Sequence, residues 1–265
     1  MRTRRNLGIM LALVMVAVLA GCAKSPTGPA MGTMRVQMTD APGDFQAVNL
    51  VITQVSAHIA GDEADTTSGW EILKSDAETF DLLTLRNGVF TTIGMAKLPA
   101  GHYTQIRLKL GAGSNVVVGG VTYPLTIPSG LQTGLKLIGQ FDVPANGLVD
   151  VALEFDAARS IDLTGAGTYL LQPTVKVMPF STAGAISGTV LPAGTPTSIY
   201  AIQSPDTLGT AAAGADGSFT VSVLPAGTYS VAFHPAAGFR DTTLTGVLVT
   251  SGHTTSVGNV QLTAK

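Results

Sequence analysis

The sequence predicts an all-β protein of two β-sandwich domains behind an N-terminal export segment, and three observations carry that prediction. Charged side chains are sparse, 15 basic and 17 acidic in 265 residues, and Gly, Thr, Val and Ala dominate without any long helical periodicity. Short runs of alternating apolar residues recur with turn signals roughly every eight to twelve residues. The chain also opens on a basic start followed by an uncharged apolar run, which sets the β-rich part apart from its leader.

That leader comes first. Arg2, Arg4 and Arg5 precede an apolar segment from Leu7 to Ala20, which is too short for a confident spanning helix and has the layout of a secretory signal peptide. It closes on Leu19-Ala20-Gly21-Cys22, which resembles the lipobox of bacterial lipoproteins. The resemblance implies removal of residues 1–21 and a diacylglycerol thioether on Cys22, with the new N-terminus acylated. Two or more chains make a stable anchor, because each buried methylene contributes about 0.8 kcal/mol. The implied partner is a membrane of the bacterial envelope, and the absence of Asp after Cys22 implies the outer membrane or cell surface. Residues 22–32 then form a Pro/Gly/Ser-rich tether.

Loss of the three arginines leaves 12 basic and 17 acidic side chains, 12 − 17 = −5, so no basic footprint for nucleic acid is expected. Cys22 is the single cysteine, which excludes an internal disulfide or a thiolate metal site.

The first domain spans 33–180. Met34, Val36 and Met38 alternate with polar residues and end at Asp40-Ala41-Pro42-Gly43. Val48, Leu50 and Ile52 change parity to Val55, Ala57 and Ile59, which predicts a bulge near Thr53-Gln54. After a polar loop come Trp70 to Leu73 and Phe80 to Leu83, with Trp70 expected in the core. Asn87-Gly88, Gly119-Gly120 and Asn146-Gly147 each read as hairpin turns, and Tyr103 to Leu110 as a strand with Arg107 and Lys109 outward. Tyr169 to Met178 closes the domain, with Pro173 marking an edge or bulge.

The second domain spans 183–265. Its strands are read at Ile186 to Val190, Ser198 to Ile202, Phe219 to Val223, Tyr229 to Phe233, Leu244 to Val249 and Val257 to Leu262, with Asp216-Gly217 as a turn. One motif joins the halves: Leu98-Pro99-Ala100-Gly101-His102-Tyr103 recurs as Leu224-Pro225-Ala226-Gly227-Thr228-Tyr229. It reflects either a shared sandwich topology or a favourable strand-turn-strand solution used twice.

Two family resemblances follow from these blocks. Residues 183–263, with GAISGTV and DGSFTVSVLPAGTYSVAFHPAAGF, resemble the carboxypeptidase regulatory-like family. That implies a transthyretin-like (prealbumin-like) sandwich, a non-catalytic accessory role and a kinship with carbohydrate-binding folds. Residues 33–178, with VQMTDAPGDFQAVNLVITQVSAHI, FDLLTLRNG, LPAGHYTQIRLKL, LEFDAARSI and YLLQPTVKV, resemble the bacterial domain of unknown function 4382. The resemblance implies an extracytoplasmic lipoprotein setting and offers no site residues; the fold expected for the two domains is an Ig-like or prealbumin-like β-sandwich.

Chemistry is thinly signalled. His58, His102, His234 and His253 are scattered, no nucleophile elbow, P-loop or zinc motif occurs, and no cofactor or metal is expected. Asp40 and Asp44 lack the rest of a Ca²⁺-loop pattern and read as a solvated turn that Asp40 caps. The candidate ligand-binding set is Ser129, Lys136, Asp156 and Arg107, strand-end residues able to hold an anionic or hydroxylated ligand. Tyr200 and Phe239 add the two aromatic rings expected on the surface of the second domain. The sequence thus supports a non-catalytic, lipid-anchored binding or scaffolding protein whose partners are envelope proteins or glycans.

Overall fold

The computed structural model describes residues 28–61, 69–128 and 134–265. Cys22 and Ser129 lie outside the described residues. The N-terminal unit runs β1 (Met31–Ala41), β2 (Ala47–Ile59), β3 (Trp70–Lys74), β4 (Glu78–Asp81), β5 (Thr91–Pro99), β6 (Gly101–Leu110) and β7 (Asn115–Val118). It continues with β8 (Val121–Thr126), β9 (Leu135–Val143), β10 (Leu148–Asp156), β11 (Ile161–Leu163), β12 (Tyr169–Leu171) and β13 (Val175–Pro179). The C-terminal unit holds β14 (Gly184–Leu191), β15 (Thr197–Gln203), β16 (Asp206–Ala212), β17 (Ser218–Leu224), β18 (Gly227–Pro235), β19 (Thr242–Val249) and β20 (Thr254–Gln261). The fold is all-β, as the composition and alternation require.

Among the described residues each unit has two sheets. In the first unit the order β13-β10-β1-β5 faces a larger sheet, β11-β12-β8-β7-β2-β6-β9, with β3 and β4 also paired to β2. Alternate residues such as Met34, Val36, Leu50, Ile106 and Leu153 meet in one core. In the second unit β17-β14-β20 faces β16-β15-β18-β19, around Ile186, Ile199, Phe219, Tyr229 and Phe233.

The parity change in β2 is a bulge, since its register with β6 shifts between Ile52 and Gln54. Gly119-Gly120 closes the β7–β8 hairpin with both residues in the left-handed region, φ 58° and 77°. Asn87-Gly88 also takes positive φ, 56° and 79°, but it does not join two strands. The Asp81 carboxylate accepts from Leu83 N at 3.1 Å and winds Leu82–Leu85 into a 3-10 turn, so Leu83 to Leu85 is not the strand its apolar pattern suggests. Asn146-Gly147 crosses between sheets instead of closing a hairpin, because β10 pairs in parallel with β1 and not with β9. Strands β5 and β16, rich in Thr, Gly and Ala, have no counterpart in the sequence reading.

The repeated Leu-Pro-Ala-Gly-x-Tyr motif is one local structure built twice. In both copies it carries the chain from one sheet to the facing one, β5 to β6 and β17 to β18. The buried Tyr then donates its hydroxyl back to the proline carbonyl, Tyr103 to Pro99 O at 2.9 Å and Tyr229 to Pro225 O at 2.8 Å. A phenol can be buried here because the turn supplies its acceptor.

Candidate functional site

The site begins with a strand that has no solvent face. In β10 every residue from Val151 to Phe155 is buried. Val151, Leu153 and Phe155 point into the first core, while Ala152 and Glu154 point the other way, toward the second unit. Glu154 is 3% exposed and sits opposite Lys176 in the β10–β13 register, where the two form an ion pair. Burial pushes the Glu154 carboxyl up to about 7 against the pull of the Lys176 charge. The Lys176 ammonium also donates across the joint to Leu208 O at 2.5 Å and Val223 O at 3.4 Å. Val223 has φ 52°, an unusual conformation for a β-branched residue, and its carbonyl is one of the two that Lys176 holds.

Beside this tie lies Asp40, at the end of β1. It is 4% exposed, not a solvated turn residue, because β1 lies between β10 and β5 in the middle of its sheet. Its Oδ1 accepts from Ala157 N at 3.1 Å, so it caps the one-turn helix Ala157–Ser160 and not its own following residues. Its Oδ2 has no partner among the described residues. Burial pushes the Asp40 carboxyl up to about 9; the bond from Ala157 opposes this, and the nearby Asp156 adds to it. Asp156 caps the same helix through Arg159 N at 3.0 Å, with its pKa raised, chiefly by burial.

Next to these residues a cleft of about 700 Å³ separates the two units. One wall is the Ala41-Pro42-Gly43 turn with Asp156 and Arg159; the other is β15 and β16, including Tyr200 and Leu208. Glu154, Lys176, Asp44, Arg86 and Asp206 complete its charged lining, with hydroxyls from Thr174, Ser198, Thr207 and Thr210. A concave site with apolar walls and a few convergent polar groups has the general form of a ligand pocket. Among the described residues no group of three or more His, Cys, Asp or Glu is placed to hold a metal ion.

The sequence-derived candidates are distributed over three places. Asp156 and Tyr200, read from separate domains, both line the cleft. Arg107 and Lys136 are register partners on β6 and β9, in the other sheet of the first unit, and do not share a rim with Asp156. Phe239 is not a free surface ring, because it is half-buried against the second core and bridges Ala264. Trp70 is not a core residue: it pairs with His58 on the outward face of β2 and lies under the Arg107 guanidinium, 3.9 Å from its ring centre. Glu154, Arg86 and Lys176 are absent from the sequence-derived candidates, and Asp40 appears there only as a turn residue. The available signal was Glu154 inside VALEF and Lys176 inside VKV, two opposite charges each embedded in an apolar strand.

The family model described as "Domain of unknown function (DUF4382)" matches residues 31–173, more than half of the 265 residues. The chain belongs to this family. The DUF4382 segment therefore supplies Asp40, Glu154 and Asp156, whereas Lys176 and Tyr200 follow it. No curated protein matches the chain. Solved structures with a detectable likeness include the Bacillus anthracis TIE protein, at 11% identity and TM-score 0.24 over 88% of this chain and 34% of that one. The chain thus spans about a third of that protein's length. The minor pilin GBS52 of Streptococcus agalactiae matches at 11% identity and TM-score 0.23, over 88% of this chain and 96% of that one. The shaft pilin SpaA of Lactobacillus rhamnosus GG matches at 7% identity and TM-score 0.23, over 89% and 98%.

Proposed function

We propose that this DUF4382 protein is a lipid-anchored, non-catalytic binding protein of the bacterial envelope, and that the inter-unit cleft takes a hydroxylated ligand, a saccharide. The observation that carries the reading is Tyr200, half-buried with its ring edge-on to His234, lining a cleft of about 700 Å³ whose other side-chain polar groups are hydroxyls and charges of both signs. An aromatic ring offers a sugar an apolar face, and the flanking hydroxyl and charged groups suit its hydroxyls. Three of the acids nearby are engaged in structure: Asp40 and Asp156 cap a helix, and Glu154 pairs with Lys176. That arrangement favours binding over acid–base chemistry. The resemblance of residues 183–263 to carboxypeptidase regulatory-like modules agrees with an accessory role.

Two experiments test this reading. Tyr200→Ala is expected to abolish binding on a bacterial and plant glycan array while leaving the melting temperature within a few degrees, because Tyr200 is only half-buried. Silence of the wild-type protein across the array would remove the saccharide assignment. For the anchor, Cys22→Ala is expected to move the protein from the membrane pellet to the soluble fraction. Unchanged membrane retention would contradict lipidation.

A further inference from the structure

The second sheet of the DUF4382 unit carries a surface of a different kind. Its register places Ile72, Ser56, Arg107 and Lys136 in one row across β3, β2, β6 and β9, and Trp70, His58, Gln105 and Ile138 in the next. Lys109 continues the outward side of β6 opposite Gln54. Neither row contains a carboxylate, although the chain carries a net −2. Ile72 and Ile138 at the flanks are 52% and 72% exposed, Lys136 is exposed and Trp70, Gln105 and Arg107 are half-buried, whereas Ser56 and His58 beneath them are buried.

Arg107 is the unusual member. It is half-buried, and its described contacts are the Trp70 ring and a long bond from Nε to Ser56 Oγ at 3.4 Å. By contrast, Arg35 is paired to Asp150 and Lys74 to Glu78. A partly desolvated guanidinium over a ring, without a carboxylate, lacks its strongest type of partner. Gly134 fixes its stem: a Cβ there would come within 2.6 Å of Arg107 Cγ and 2.7 Å of Cδ. Among the described residues, three of the six buried side-chain polar atoms without a hydrogen-bond partner lie here, namely Gln54 Oε1, His58 Nδ1 and Trp70 Nε1, with His58 only 2% exposed and its ring against Trp70 at 4.9 Å.

We propose that this face binds an anionic polysaccharide, whose carboxylates or phosphates pair with Arg107, Lys109 and Lys136 while its sugar rings lie along Trp70, Ile72 and Ile138. The strands space the cations about 5–7 Å apart on a flat grid, which suits a linear polymer with regularly repeated charges. The apolar flanks suit sugar faces better than a fully hydrated anion. This surface is separate from the cleft and stands whether or not the cleft binds a sugar.

The test uses the intact mature protein in detergent, with polygalacturonate as the probe, neutral dextran as its uncharged control, and polyglutamate and phosphatidylglycerol vesicles as competing anions. Affinity electrophoresis is expected to show retardation by polygalacturonate alone, weakened by salt. Trp70, the sole tryptophan, is expected to change its emission in step. Arg107→Gln is expected to weaken binding about tenfold, and the double variant Lys109→Gln/Lys136→Gln, confined to lysines outside the core, by a similar factor without a change in melting temperature. Equal retardation by dextran, equal or stronger binding of polyglutamate or vesicles, or unaltered affinity in the lysine double variant would each overturn the proposal.

Discussion

Replacing Asp40 with Asn is expected to stabilise the protein at alkaline pH and to leave it unchanged in acid. Burial raises the Asp40 carboxyl from an ordinary 3.8 to about 9 in the folded state. Across that interval the native chain holds a proton that the unfolded chain has released, so stability falls as pH rises, by at most about 1.4 kcal/mol per pH unit. The loss begins near pH 4 and is complete only near pH 9. Asn keeps the acceptor for Ala157 N and cannot ionise. At pH 8, about four units above the ordinary carboxylate value, the gain is expected to reach up to about 6 kcal/mol, roughly 12–24 °C in melting temperature, shrinking to nothing near pH 4. Thermal melts of both proteins from pH 4 to 9 check this. A variant less stable than wild type by the same amount at every pH would show that Asp40 is an ordinary ionised cap.

Lys176→Met is expected to have the opposite sign and a smaller size. It strips the partner from a carboxylate that is 3% exposed and removes the bonds to Leu208 O and Val223 O that tie the units together. Removing one member of a fully buried pair costs about 3–5 kcal/mol because the other charge remains buried, and with the Lys176 side chain 34% exposed the loss is expected toward or below the lower end of that range. The Glu154 carboxyl is raised to about 7 even beside Lys176, so its own contribution to stability is lost as pH rises from about 4.5 to about 7. Without the lysine its pKa rises further, and the deficit of the variant is expected to be larger at pH 8 than at pH 5.5. Urea denaturation at the two pH values checks this, and Glu154→Gln added to Lys176→Met should recover most of the loss. A deficit that is flat with pH and unrelieved by the second substitution would mean that packing alone accounts for it.

How far these features were legible differs from residue to residue. The all-β class, the β2 bulge, the Gly119-Gly120 hairpin and the inward Phe219, Tyr229 and Phe233 follow from two-residue periodicity and local turn chemistry, which a sequence displays directly. Asn87-Gly88 closes no hairpin because one side-chain bond from Asp81 outweighs the apolar run before it and winds Leu82–Leu85 into a 3-10 turn. Asn146-Gly147 was misread because a turn signal does not say which strand will be the partner. The outward charge of Arg107 and Lys136 was readable from parity; their distance from Asp156 was not, since it depends on which sheet each strand joins. Glu154 and Lys176 escaped notice for the same reason. Only the packing of a second unit over the back of β10 makes an outward-parity glutamate a buried one. Tyr200 entered as a surface ring and became a cleft residue once β15 and β16 were set opposite Asp156.

The claim on which the account turns is that the cleft between the units is where the protein holds its ligand. Hydrogen–deuterium exchange on the intact protein, with and without a solubilised bacterial envelope glycan extract, tests it most directly. Protection is expected in peptides covering residues 154–159 and 198–212, the two walls of the cleft, and is expected to vanish in Tyr200→Ala. Protection confined to other segments, or identical protection in the Tyr200 variant, would contradict it.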